Sequence, residues 1–193
     1  DRIRVYPLAV RDDSETPDVD ESEWSRNAWD PERVAEVANA AGYWFTGGDQ
    51  MRITQTLRNA EGEESPLLAL IRTRLAAGAV VGGSSAGAAI MSRDMISGGI
   101  SFRALLEPLA SAYSDTEDPD SGRRYLARGL GFLTSGLVDQ HFDRKARLGR
   151  LVRAMARWRR FDPGQRGPHL LRNANLKEFE ALGGLCLLRY RGD

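Results

Sequence analysis

The sequence predicts an α/β fold, a mostly parallel sheet with helices between successive strands. Three observations point there. Short apolar, β-branched runs alternate with helix-periodic segments along the chain. The central run, VVGG, passes straight into an alanine-rich helix through GSSAG. The loops TGGDQ, GGSSAGA and DQHF each follow a strand-like run, where an open parallel sheet gathers its ligands.

In chain order, the strand-like runs are Ile3–Leu8, Tyr43–Thr46, Ala79–Gly82, Gly136–Asp139 and Leu185–Arg189. Pro31 opens PERVAEVANAAG after a possible Asp30 cap, and Gly42 is its stop signal. Gln50–Asn59 and Pro66–Ala77 read as further helices, Ala86–Met91 as a helix after the turn, and Asp143–Arg160 as a long periodic helix. On that last segment Leu148, Leu151, Val152, Met155 and Trp158 form the apolar side. Residues 11–23 and 114–122 are acidic, proline-containing stretches. They read as solvated loops or as acidic surroundings for a cationic substrate.

The 193 residues carry 27 basic and 27 acidic side chains, a net charge of zero that speaks against nucleic acid as the main partner. No apolar run approaches the length of a membrane span. Cys186 is the single cysteine, so the chain has no internal disulfide and no cysteine metal cluster. Two histidines, His141 and His169, argue against a histidine-rich zinc site, and no cofactor is expected. The sequence starts at Asp1 without a signal-peptide pattern, which leaves a cytoplasmic or a secreted location open.

Gly83-Ser84-Ser85-Ala86-Gly87 fits G-x-S-x-G. A sharp strand-to-helix turn needs small neighbours and pushes its central side chain out beside free amides of the helix start. That makes Ser85 a candidate nucleophile. The alternatives are a serine-capped turn or a phosphate loop, although the latter would want Gly-Lys-Ser/Thr. His141, just past GLVDQ, is either a structural histidine or the general base at the same sheet end. In TGGDQ, Gly47 and Gly48 allow a close backbone approach, or mark a plain turn; Gln50 orients a substrate or simply starts a helix. Arginines 144, 147, 150, 153, 157 and 160 line one side of the last long helix. The distal ones read as a solvated face, whereas Arg147 and Arg150 are placed to reach a substrate carboxylate.

FTGGDQ (45–50), GGSSAGAAIMS (82–92), ISGG (96–99) and above all GLGFLTSGLVDQHFDRKARLGRL (129–151) resemble the S51 family of serine peptidases, the cyanophycinases. The resemblance implies a three-layer fold like that of class I glutamine amidotransferases (flavodoxin-like), helices on both faces of the sheet, and one domain over 1–193. It implies serine-type exopeptidase activity releasing β-Asp-Arg dipeptides from cyanophycin, a polyaspartate with arginine on its side chains, and no metal. By position, Ser85 becomes the nucleophile and His141 the base. Gly48 and Ala86 become the oxyanion amides. Gln50, Asp139, Gln140, Lys145, Arg147 and Arg150 become substrate-pocket residues. A homodimer is possible by the same resemblance.

Three departures from the pattern stand out. Lys145 replaces an expected arginine, keeping the charge but losing the bidentate fork. An upstream strand and glycine-rich turn are not found, which leaves a sheet position to be paired. The family's imidazole-orienting glutamate is also not found: residues 161–184 offer Gly164 and Gly167 as remnants, and Glu178 and Glu180 as the nearest acids. A related aspartyl dipeptidase and a pocket-bearing protein without catalysis are therefore the alternative readings. A glutamine amidotransferase would need cysteine at the turn, and Cys186 lies elsewhere.

Overall fold

The computed structural model describes residues 3–106, 126–134, 136–142, 145–161, 181–182 and 185–187. Two compact units are present. The first comprises Asp1–Trp44 with Met51–Gly82, and the second Phe45–Gln50 with Gly83–Asp193.

In the first unit, a 3-10 turn at Trp24–Ala28 precedes α1 (Pro31–Ala35). The Asp30 carboxylate accepts the N–H groups of Glu32 at 2.9 Å and Arg33 at 3.5 Å, and Pro31 occupies the first helical turn. The helix ends short of Gly42. From Glu36 to Ala40 the backbone bonds become i→i−3 turns, as in Val37 N–H to the Val34 carbonyl. β1 (Gly42–Phe45) and β2 (Val80–Gly83) flank α2 (Gln50–Leu57) and α3 (Pro66–Ala76) in sequence. Val80 N–H bonds Ala41 O at 3.1 Å and Ser84 N–H bonds Phe45 O at 3.0 Å, so β1 and β2 run parallel. Ser65 caps α3, accepting the Leu68 N–H at 3.2 Å, with Pro66 next. Leu67, Leu68 and Ile71 of α3 are buried, and α3 packs on α1 and on the 3-10 turn.

Glu64 sits beside this helix. Arg72 grips its carboxylate with two bonds of 2.7 Å, and Arg58 adds one of 3.0 Å. These bonds, Arg72's first, hold Glu64 down at about 2. A depressed carboxylate contributes stability above its ordinary pKa and loses it as pH falls through the folded one. Acid unfolding curves should therefore show this loss between about pH 4.5 and 2 in the wild type, and Glu64→Gln should lack it while costing about 1–2 kcal/mol at pH 7. An unchanged acid limb in the variant would contradict the assignment.

Ile3–Leu8 forms no strand. Ile3 is 101 % and Val5 85 % exposed, and the segment is tied by side chains instead. Tyr6 Oη donates to Asn27 O at 2.6 Å and Asn27 Nδ2 to Pro7 O at 2.8 Å. Alternating apolar residues supply strand propensity, but a ladder also needs a partner edge, and Pro7 removes one donor.

The second unit holds α4 (Ala86–Ala89), β3 (Asp94–Ile96), α5 (Ser101–Leu106), β4 (Leu126–Arg128), β5 (Val138–Gln140), α6 (Leu148–Phe161), β6 (Ala181–Leu182) and β7 (Leu185–Leu187). β3 pairs antiparallel with β4, and β7 pairs antiparallel with both β5 and β6. The α/β class is thus present, but the mostly parallel sheet is not what these pairings show. Period-two patterning reports which face is buried, not strand direction. β6 and β7 are only two residues apart, Gly183 and Gly184, a spacing that links antiparallel strands alone. Ile96, Leu126, Leu137, Leu151 and Ala154 form the core, with Phe142 and Met155 packed against it. α6 begins at Leu148, and Asp143 and Arg144 of the expected helix lie outside the described residues. Of the expected apolar side, Leu151 is buried and Met155 packs on the core, whereas Leu148 and Val152 are exposed and Ala154 faces inward with Leu151. Gly149 lets α5 approach: a Cβ there would stand 2.9 Å from Ser101 Cβ and 3.0 Å from Leu105 Cδ1.

Candidate active site

Every predicted site residue lies in the second unit. The turn from β2 into α4 positions Ser85. Its φ of +52° and ψ of −116° are strained for a residue with a side chain, at a typical cost of about 1–3 kcal/mol. The two flanking glycines make the turn possible. A Cβ on Gly87 would lie 2.2 Å from Phe45 O, and one on Gly83 would lie 2.3 Å from Gly87 O. Gly87→Ala should therefore cost about 3 kcal/mol or more, read as a drop in the denaturant midpoint. A stability equal to wild type would contradict this account of the turn.

Ser85 Oγ lies 2.8 Å from His141 Nε2 and 2.7 Å from Gln140 Oε1. His141 itself sits at φ +49°, directly after β5, so the strand end delivers Gln140 and His141 to the same serine. Gly47 backs onto the turn, where a Cβ would stand 3.3 Å from Ser85 Cβ. Gly48 has φ +124° with open space around its Cβ position, so its backbone conformation, not crowding, calls for glycine. Ala86 is fully buried and opens α4, where its N–H precedes the first intrahelical bond.

Gln50, the first residue of α2, is buried. Its Nε2 donates to Ser97 O at 2.7 Å and Ile96 O at 3.1 Å, and its Oε1 accepts from Gln140 Nε2 at 3.2 Å. Asp139 and Arg150 are brought together, but with each other. Asp139 is 0 % and Arg150 2 % exposed. Arg150 Nε donates to Asp139 Oδ2 at 2.9 Å, its Nη2 to Asp139 Oδ1, and its Nη1 to Gly99 O at 2.9 Å. These two residues form an internal fork, and their polar atoms are satisfied within the protein. Arg147 Nη1 donates to Gln140 O at 2.7 Å and stays 4.0 Å from Asp139 Oδ1. Burial, then the neighbouring Arg150, lower its pKa, against an upward pull from Asp139. Lys145 is exposed, and its backbone N–H bonds His141 O at 3.1 Å. Gly164, Gly167, Glu178 and Glu180 lie outside the described residues.

Several supporting groups were not singled out from sequence. Ser92, fully buried, accepts the Val138 N–H at 2.8 Å and so anchors β5. Ser101 Oγ donates to Ala146 O at 2.5 Å and accepts the Arg150 N–H at 3.3 Å. The carbonyls of Ile96, Ser97 and Gly99 hold Gln50 and Arg150; ISGG was visible as a motif, but backbone acceptors leave no signature of their own. Among the described residues no cluster of His, Cys, Asp and Glu is arranged for a metal, and no helix is long and apolar enough to cross a membrane.

A serine and a histidine in hydrogen-bond contact at a glycine-flanked, strained turn have the geometry that a nucleophile and its general base require. The model of peptidase family S51 matches residues 18–158, which take in all of these groups. The chain belongs to peptidase family S51. Among S51-type relatives, the cyanophycinase of Nostoc sp. (strain PCC 7120 / SAG 25.82 / UTEX 2576) is 32% identical over 155 residues, 80% of this chain and 45% of that protein. The cyanophycinase of Thermosynechococcus vestitus is 35% identical over 126 residues, 65% of this chain and 33% of its own length. That of Geminocystis herdmanii is 36% identical over 121 residues, 62% of this chain and 38% of its own. The S51 chain thus spans less than half the length of these curated relatives.

Proposed function

We propose that this S51 protein is a serine-type exopeptidase that hydrolyses the β-aspartyl linkages of cyanophycin and releases β-Asp-Arg dipeptides. The 2.8 Å contact between Ser85 Oγ and His141 Nε2 carries the reading. His141 takes the Ser85 proton as Oγ attacks the scissile carbonyl, then returns it to the leaving amine. The N–H groups of Ala86 and Gly48 receive the oxyanion. No metal or cofactor enters these steps.

The substrate side follows from what is free. The Asp139–Arg150 fork supports the pocket wall, because both partners are fully engaged. Arg147, only partly buried, and exposed Lys145 remain as cations for the substrate's free carboxylates. Gln140 and Gln50 lie next to the nucleophile, but their amides are engaged with Ser85, with each other and with the Ile96 and Ser97 carbonyls, so they shape the site instead of offering free groups. The three-layer arrangement and the single domain over 1–193 are part of the same proposal, supported by family membership.

Linkage selectivity tests this function against that of a related aspartyl dipeptidase. The chain should cleave short peptides of β-linked Asp-Arg units and leave α-linked Asp-Arg isomers intact. Preferential cleavage of the α-linked isomers would overturn the cyanophycin assignment while keeping a peptidase.

A further inference from the structure

The Ser85 hydroxyl has one proton and two neighbours able to accept it, Gln140 Oε1 at 2.7 Å and His141 Nε2 at 2.8 Å. The surrounding amides decide between them. Gln50 Nε2 faces two backbone carbonyls, Ile96 O and Ser97 O, so this end of the amide must be the NH2 group. Gln50 Oε1 is then the atom that meets Gln140, and Gln140 presents its own NH2 there at 3.2 Å. That leaves Gln140 Oε1 against Ser85, and a carbonyl oxygen can only accept. Gln140 cannot swing away easily. Its N–H bonds Asp139 Oδ1 at 2.8 Å, its C=O takes Arg147 Nη1 at 2.7 Å, and its side chain is buried.

If the serine proton pointed to His141, Gln140 Oε1 would be an acceptor without a donor among the described residues, 2.7 Å from a serine lone pair. If it points to Gln140, the chain closes: Ser85 donates to Gln140, and His141 donates Nε2–H to Ser85. We propose that Gln140, oriented by Gln50, is a positioning residue that holds the Ser85 proton away from His141 in the resting protein. The inference rests on the peptidase reading above, and adds that the nucleophile is held inactive until Gln140 releases it. A substrate donor that takes the Gln140 oxygen frees the hydroxyl to turn to a bare Nε2. The imidazole proton then sits on Nδ1, having exchanged through solvent, which the exposed ring allows.

The full chain labelled with 15N-histidine gives the test. At a pH where His141 is neutral, its ring nitrogens should report the Nε2–H tautomer in the wild type and shift toward Nδ1–H in Gln140→Met. Inactivation by a small sulfonyl fluoride, which needs no arginine-reading contacts, should be about fivefold faster in Gln140→Met, as expected for loss of one hydrogen bond. A wild-type Nδ1–H tautomer, or an unchanged or slower inactivation of the folded variant, overturns the proposal. Should Gln140→Met not fold, the wild-type tautomer alone decides. Neither readout depends on cyanophycin hydrolysis, so this inference and the peptidase reading fail separately.

Discussion

Asp139→Ala is expected to destabilise the chain by about 3–5 kcal/mol, because it leaves the Arg150 guanidinium buried without its carboxylate. The fork joins β5 to α6 and, through Gly99 O, to the segment after β3. Losing it should loosen the strand end that carries His141. A variant replacing both partners by apolar residues, Asp139→Leu with Arg150→Met, should recover much of the loss, because neither charge is then left alone. Denaturant unfolding of the singles and the double measures this directly. A loss below about 1 kcal/mol for Asp139→Ala would mean that the pair is dispensable to the fold and available to substrate instead.

Ser85→Ala is expected to lower kcat by a factor on the order of 10⁶, with folding retained, and His141→Ala by a comparable factor. The double variant should be scarcely worse than either single, because the two side chains act as one unit. Ser85→Ala also removes a side chain from a strained φ of +52° only in part, as alanine keeps the Cβ, so little stability should change. Independent, multiplying losses would mean that Ser85 and His141 do not share a proton in the reaction. The measurement is single-turnover hydrolysis of a short β-linked Asp-Arg substrate by the four proteins.

Much of this site was legible in the sequence because its logic is local. The small residues around Ser85 are dictated by backbone clashes of 2.2–2.3 Å, and such clashes select glycine wherever the turn occurs. His141 follows a buried strand end, and alternation together with position suffices to place it near the turn. The Asp30–Pro31 helix start was equally readable, since Asp30 satisfies amides two and three residues ahead. Long-range pairing was not. Nothing local announces that Asp139 and Arg150 pair with each other, eleven residues apart across a strand and a helix. β1 and β2 run parallel as expected, but the antiparallel pairing of β5 with β7 was hidden for the same reason, and so were β3, β4 and β6, each of two or three residues. Ile3–Leu8 shows the converse, a strand-like pattern with no ladder. Glu178 and Glu180, the nearest acids downstream of His141, lie outside the described residues.

The most direct test is release of β-Asp-Arg from purified cyanophycin by this chain, with Ser85→Ala in parallel. The account predicts dipeptide release by the wild type and none above background by the variant. Equal release by both would remove Ser85 from the chemistry, and no release by a folded wild type that still binds the polymer would contradict the peptidase assignment.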